Sequence, residues 1–230
     1  MKVIFPIFIL ILLVNNYKNG NSQETPKRND TLFIIKDQKL GTKQSIYFEN
    51  NKNSKFYEEL KDYEFDDFDQ QTYNESLKNI NQKLNKQKPV FSETKWLPLY
   101  SYKNKYYVYN PCDFYTEYKV SINDSTLIDW TGDGPIANLI LSQKKLRDNH
   151  YEFNLKSYQS RKLTIKIIDK RRGIALFKNE YKNEIPEYLL MVATNKINEF
   201  PLIINNCETY KQNELKFDEI DIKKLTNDYR

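Results

Sequence analysis

"HYEFNLKSYQSRKLTIKIIDKRRGIALFKNE", His150 to Glu180, is the stretch that decides the fold. Tyr151, Phe153 and Leu155 alternate with Glu152, Asn154 and Lys156, and Leu163, Ile165 and Ile167 alternate with Lys162, Thr164 and Lys166. Successive side chains of a strand point to opposite faces, so this period of two predicts strands with one buried face and one wet face. "DKRRG" then supplies a turn before a further strand at "GIALFKNE".

The same period extends outward in both directions. "KWLPLYSY" and "KYYVYN" read as a hairpin turning at Lys103–Lys105. "EYKVSIN", "STLIDW" and "IANLILS" follow as strands, and "EYLLMVA" and Leu202–Asn205 continue the series downstream. Short strands separated by turn signals predict a mainly β fold, an antiparallel sandwich or barrel of about 8–10 strands over residues 91–230. Residues 23–90 read as an N-terminal helical extension. It has two short strands at "TLFIIK" and "SIYFE", joined through Gly41, and a short helix from Phe56. Tyr73, Leu77, Ile80 and Leu84 share one helical face, Thr72 and Glu75 have capping-box spacing, and Pro89 stops the run, which predicts an amphipathic helix over about 70–87.

The chain opens with Lys2 and an unbroken apolar run from Val3 to Val14, with the small residues Gly20 and Ser22 beyond it. The run is shorter than the roughly 20 helical residues that span a bilayer, and its layout is that of a signal peptide over residues 1–22, cleaved near Ser22. The expected location is therefore periplasmic or extracellular, with no transmembrane segment in the mature chain. Cleavage removes Lys2 and Lys18 and no acid, which takes the net charge from +5 to about +3. So weak a positive balance, together with export, argues against a nucleic-acid partner.

Two cysteines occur, Cys112 and Cys207, and an oxidising compartment predicts that they are bridged. In the chain-entropy model, closing so long a loop stabilises by roughly 4–5 kcal/mol, less any strain.

Catalytic signals are sparse. His150 is the sole histidine, no serine sits in a nucleophile elbow, and bridged cysteines leave no free thiol. Nor do one histidine and two distant cysteines match zinc-ligand spacing, and no cofactor is implied. Carboxylate pairs remain, with Asp113, Glu117, Asp129 and Asp133 as candidates for glycan hydrolysis.

"DWTGDGP", Asp129 to Pro135, places Asp129, Thr131 and Asp133 at positions 1, 3 and 5 of a calcium loop, with Gly134 at position 6. Position 12, which needs a bidentate glutamate, falls on Ile140. The stretch is therefore read as a strand-to-strand turn.

Aromatic residues are dense between Trp96 and Tyr118, and in "KYYVYN" they occupy both faces of one strand. A solvated outer face does not need rings, so a second packing partner or a ligand is expected there. Trp96, Tyr106, Tyr107, Tyr109, Tyr115 and Trp130 are the candidate ligand-binding residues. The expectation from sequence is an exported β-domain that binds a ligand or an envelope or extracellular partner without catalysis. A secreted glycan hydrolase and a structural envelope protein are the alternatives.

Overall fold

The structure, a computed structural model, describes residues 32–37, 43–208 and 213–227. The expected signal peptide and the turn at Gly41 lie outside the described residues.

The chain is mainly β, and of the two architectures expected the barrel is the one formed. Five strands make a separate sheet: β1 (Phe33–Asp37), β2 (Gln44–Glu49), β4 (Tyr100–Tyr102), β5 (Lys105–Asn110) and β13 (Leu202–Cys207). The other eight close the barrel: β3 (Lys95–Pro98), β6 (Tyr118–Ile122), β7 (Thr126–Thr131), β8 (Gly134–Arg147), β9 (His150–Lys156), β10 (Arg161–Asp169), β11 (Ile174–Tyr181) and β12 (Glu187–Ala193). From β6 to β12 each strand pairs antiparallel with the next, and β3 closes the ring between β12 and β6. Closure removes the unpaired edges that a sandwich would have to protect.

The apolar phase of each strand points into the barrel. Trp96, Val120, Leu127, Phe153, Leu163, Ile165, Phe177 and Met191 fill it, as an eight-stranded barrel of this size permits. "IALF" and "LLMV" are apolar at successive positions because both faces of β11 and β12 are covered. Leu176, Leu190 and Val192 point outward and pack under the second sheet against Val108, Leu202 and Ile204. This sheet runs β1-β2-β13-β5-β4, antiparallel except for β13 beside β5. Cys112 and Cys207, following β5 and ending β13, are bridged with Cα atoms 5.7 Å apart.

Two helices precede the barrel strands, α1 (Lys55–Lys61) and α2 (Asp67–Ile80). The Asp66 carboxylate caps α2 by accepting from the Asp69 amide, and Asn81 ends it in a left-handed conformation. The helix is thus displaced toward the N-terminus of the expected 70–87 span. Leu77 and Ile80 pack on Ala137 and Leu139 of β8, whereas Leu84 lies beyond the helix. The hairpin turn at Lys103–Asn104 falls within the stretch expected, with both residues at positive φ. A short helix α3 (Ile222–Asn227) closes the described chain.

Candidate functional site

The barrel is filled differently at its two ends. At the end where β9 begins, Phe91 enters from the segment before β3. Its ring stacks on Tyr151 at 4.8 Å and lies 6.0 Å from Phe153 and 6.2 Å from Trp96. At the opposite end, where β7 finishes and β10 begins, a cup of about 440 Å³ opens. Its walls are largely apolar, with Pro98, Leu99, Ile136, Leu189 and Ile220 among them, and its polar groups include Tyr118, Asp129, Thr131, Arg161, Asn179, Tyr181 and Glu187.

Asp129 and Arg161 form a buried ion pair. Arg161 Nη2 donates to both carboxylate oxygens, at 2.7 and 3.0 Å. Asp129 also accepts from the Tyr118 hydroxyl at 2.8 Å and from Asn138 Nδ2 at 2.9 Å. Arg161 Nη1 donates to the Tyr181 hydroxyl at 3.0 Å. Strand register explains the assembly. Arg161 lies opposite Tyr181, and Asn179 lies opposite Leu163, one inward position deeper than Tyr181. Asp129 reaches Arg161 because the barrel is closed.

The electrostatics follow from the burial. Desolvation works against the Arg161 charge, but the Asp129 carboxylate, helped by the Tyr118 and Tyr181 hydroxyls, overcomes it and raises the pKa further. Burial, then the Asp129 charge, pushes the Tyr118 hydroxyl well above its ordinary value, so it remains a donor. Among the described residues, three buried side-chain nitrogens and oxygens lack a hydrogen-bond partner: Ser54 Oγ, Arg161 Nε and Asn179 Oδ1. Two of the three belong to residues lining this cup. Buried orphans are costly, so their concentration at one place marks it.

The residues singled out by sequence are distributed elsewhere, with two exceptions. Trp96 is fully buried inside the barrel, its ring 5.3 Å from Phe177. Trp130 points outward on β7, donates Nε1 to Ser121 Oγ at 2.8 Å and meets Tyr63 edge-on at 5.6 Å. Tyr106 faces the barrel wall. Tyr107 and Tyr109 face the other way, where Tyr107 meets Phe48 at 5.4 Å and Tyr109 meets Phe217 of the C-terminal segment at 4.9 Å. The Tyr109 hydroxyl donates to Glu214, and Phe217 stacks on Tyr100 at 4.4 Å. The second packing partner expected for "KYYVYN" is thus supplied within the chain. Tyr115 is exposed beside Phe114.

The exceptions are Asp129 and Thr131, both of which line the cup. The tip of the turn does not join them. The Thr131 hydroxyl donates to the Gly134 carbonyl at 2.9 Å, and Asp133 is exposed at the tip of the hairpin. The tip is packed down rather than open. A Cβ on Gly132 would come within 2.3 Å of the Phe114 carbonyl oxygen. Among the described residues no cluster of His, Cys, Asp or Glu could hold a metal ion.

Sequence reading missed Arg161, Asn179 and Asn138. A signal was present: each is a polar residue in the apolar phase of its strand. Arg161 precedes Leu163 and Ile165, Asn179 follows Ala175 and Phe177, and Asn138 lies between Ile136 and Ile140.

A second pocket, of about 280 Å³, adjoins the cup and shares Pro98, Tyr100 and Tyr118 with it. Glu59, Glu117 and Lys119 line it. Burial raises the Glu117 pKa, Lys119 opposes this, and Glu59 adds to it.

No protein-family model matches the chain, and no curated protein or solved structure matches it either. None of the described helices is long and apolar enough to cross a membrane.

Proposed function

We infer that this is an exported protein that binds a small molecule with an apolar body in the mouth of its barrel, without catalysis. The Cys112–Cys207 bridge supports the export reading, since such bonds persist in oxidising compartments. The observation that carries the binding reading is the cup itself: about 440 Å³, apolar walls, and a buried polar constellation with unfilled hydrogen-bonding capacity. That size, with few convergent polar groups, suits a small ligand. The Asp129 carboxylate is engaged by Arg161, Tyr118 and Asn138 together, so it is held as a fixed structural charge rather than as an acid or nucleophile.

A neutral apolar fluorophore, N-phenyl-1-naphthylamine, tests this directly. Saturable one-site enhancement is expected with the full-length protein. Leu189→Trp, which puts bulk into the cup, is expected to weaken binding by about ten-fold or more, roughly the loss of one well-made contact. Unchanged binding in that variant would place the site elsewhere.

The hydrolase reading has one observation in its favour, the buried Glu117 with Glu59 in the adjoining pocket. Its other candidates are otherwise placed. Asp113 caps the turn at Phe114–Thr116, Asp129 is held in the ion pair, and Asp133 is at the exposed tip.

A further inference from the structure

The polar atoms of the cup specify more than its volume, and this inference rests on the cup being the binding site. Arg161 is neutralised by Asp129, whose carboxylate it bonds through Nη2 at 2.7 Å. The second carboxylate lining the cup, Glu187, has the same sign as Asp129. An anionic head group would therefore meet two carboxylates and a guanidinium already satisfied by one of them. A cationic ammonium head group has donors only, so it would leave the buried Arg161 Nε–H without an acceptor.

The Tyr118 and Asn138 donors and both Nη nitrogens are engaged. Among the buried side-chain atoms of the described residues that line the cup, two lack a partner, the donor Arg161 Nε–H and the acceptor Asn179 Oδ1, on neighbouring strands. Arg161 is 9 % exposed and Asn179 3 % exposed, so bulk water competes poorly for either. A head group that both accepts and donates, and carries no charge, satisfies the two together. A hydroxyl does this with one atom and a primary carboxamide with two.

We propose that the barrel mouth selects an uncharged amphiphile, an alcohol or primary amide with an apolar tail, whose head is read by Arg161 Nε–H and Asn179 Oδ1. The tail lies against Leu189, Ile136 and Ile220. Asn179 is the specificity-determining residue of the pair, because Arg161 is also held by the ion pair.

The test is competition against bound N-phenyl-1-naphthylamine with four eight-carbon ligands at neutral pH: octanamide, 1-octanol, octanoate and octylamine. On the wild-type chain octanamide and 1-octanol are expected to displace the probe at about ten-fold lower concentration than octanoate or octylamine, the effect of leaving buried partners unpaired. Asn179→Leu is expected to reduce that preference to within about two-fold while probe binding persists. Should Asn179→Leu fail to fold by circular dichroism, the near-isosteric Asn179→Asp serves instead. It is expected to move the preference toward octylamine. Octanoate or octylamine competing as well as octanamide on the wild type would overturn the inference and leave the cup reading standing. An unchanged ligand order in Asn179→Asp would do the same. Absence of any saturable probe binding would overturn both.

Discussion

At the end of the barrel where β9 begins, Phe91 lies over Tyr151, Phe153 and Trp96, which leaves a smaller pocket of about 160 Å³ above an apolar interior. At the end where β7 finishes, the same inward positions carry Asp129, Asn138, Arg161 and Asn179 around a cup. The strands are continuous between the two ends, and the inward phase does not change. Only the residue types do. Filling an eight-stranded barrel with side chains is sufficient for stability, and one end of this chain does that. Buried ions and orphaned polar atoms at the other end weaken the fold relative to an apolar filling. The contrast is the strongest argument that the polar end has a task.

The comparison can be broken most directly at the ion pair. Arg161→Leu leaves the Asp129 charge buried without its partner and is expected to cost about 3–5 kcal/mol in urea unfolding. Replacing both residues by leucine is expected to restore most of that loss, because no charge is then left unpaired. A single-variant cost under about 1 kcal/mol would mean that the mouth is as wet as the surface.

Phe91→Ala addresses the opposite end. It is expected to cost about 2 kcal/mol, as loss of a partly buried ring does, while probe binding at the mouth stays unchanged. If binding falls with stability, the two ends are not independent.

The ends also differ in how pH acts on them. Tyr118 at the mouth has a raised pKa, and burial pushes Tyr57 and Tyr100 up to about 12, with Glu49 and Glu214 respectively adding to the effect. Above about pH 10 the unfolded chain loses tyrosine protons that the folded chain keeps. Stability present below pH 10 is therefore expected to fall as pH rises toward 12, followed by tyrosinate absorbance alongside circular dichroism.

His150, at the plugged end, is shifted down by burial and by Lys166 and Arg147. Below about pH 6.5 the unfolded state takes up the proton first, so stability declines on acidification. This is the smallest of the effects, and His150→Gln is expected to remove it from the urea midpoint measured against pH.

Much of the fold was legible because alternation is local. The stretch from His150 to Glu180 contains the apolar phase of β9, β10 and β11, and their order around the barrel follows from short turns. The site was less legible. Asp129 drew notice through its neighbours Thr131 and Asp133, of which Thr131 lines the cup with it and Asp133 is exposed at the hairpin tip, while its real partner Arg161 is 32 positions away in sequence. The aromatic residues of "KYYVYN" were correctly expected to need cover on both faces. The cover over Tyr109 comes from Phe217 in the C-terminal segment and that over Tyr107 from Phe48 of β2, and the sequence gives no hint of either contact.

Each strand records in its own period which positions face inward, and the residues themselves show that Asp129, Asn138, Arg161 and Asn179 are polar at such positions. Closure is different in kind. Once β3 pairs with both β12 and β6, a sheet becomes a barrel, the four polar positions converge at one mouth, and Phe91 takes the other. Closure depends on pairing between strands distant in the chain, and no local pattern encodes which strands will meet.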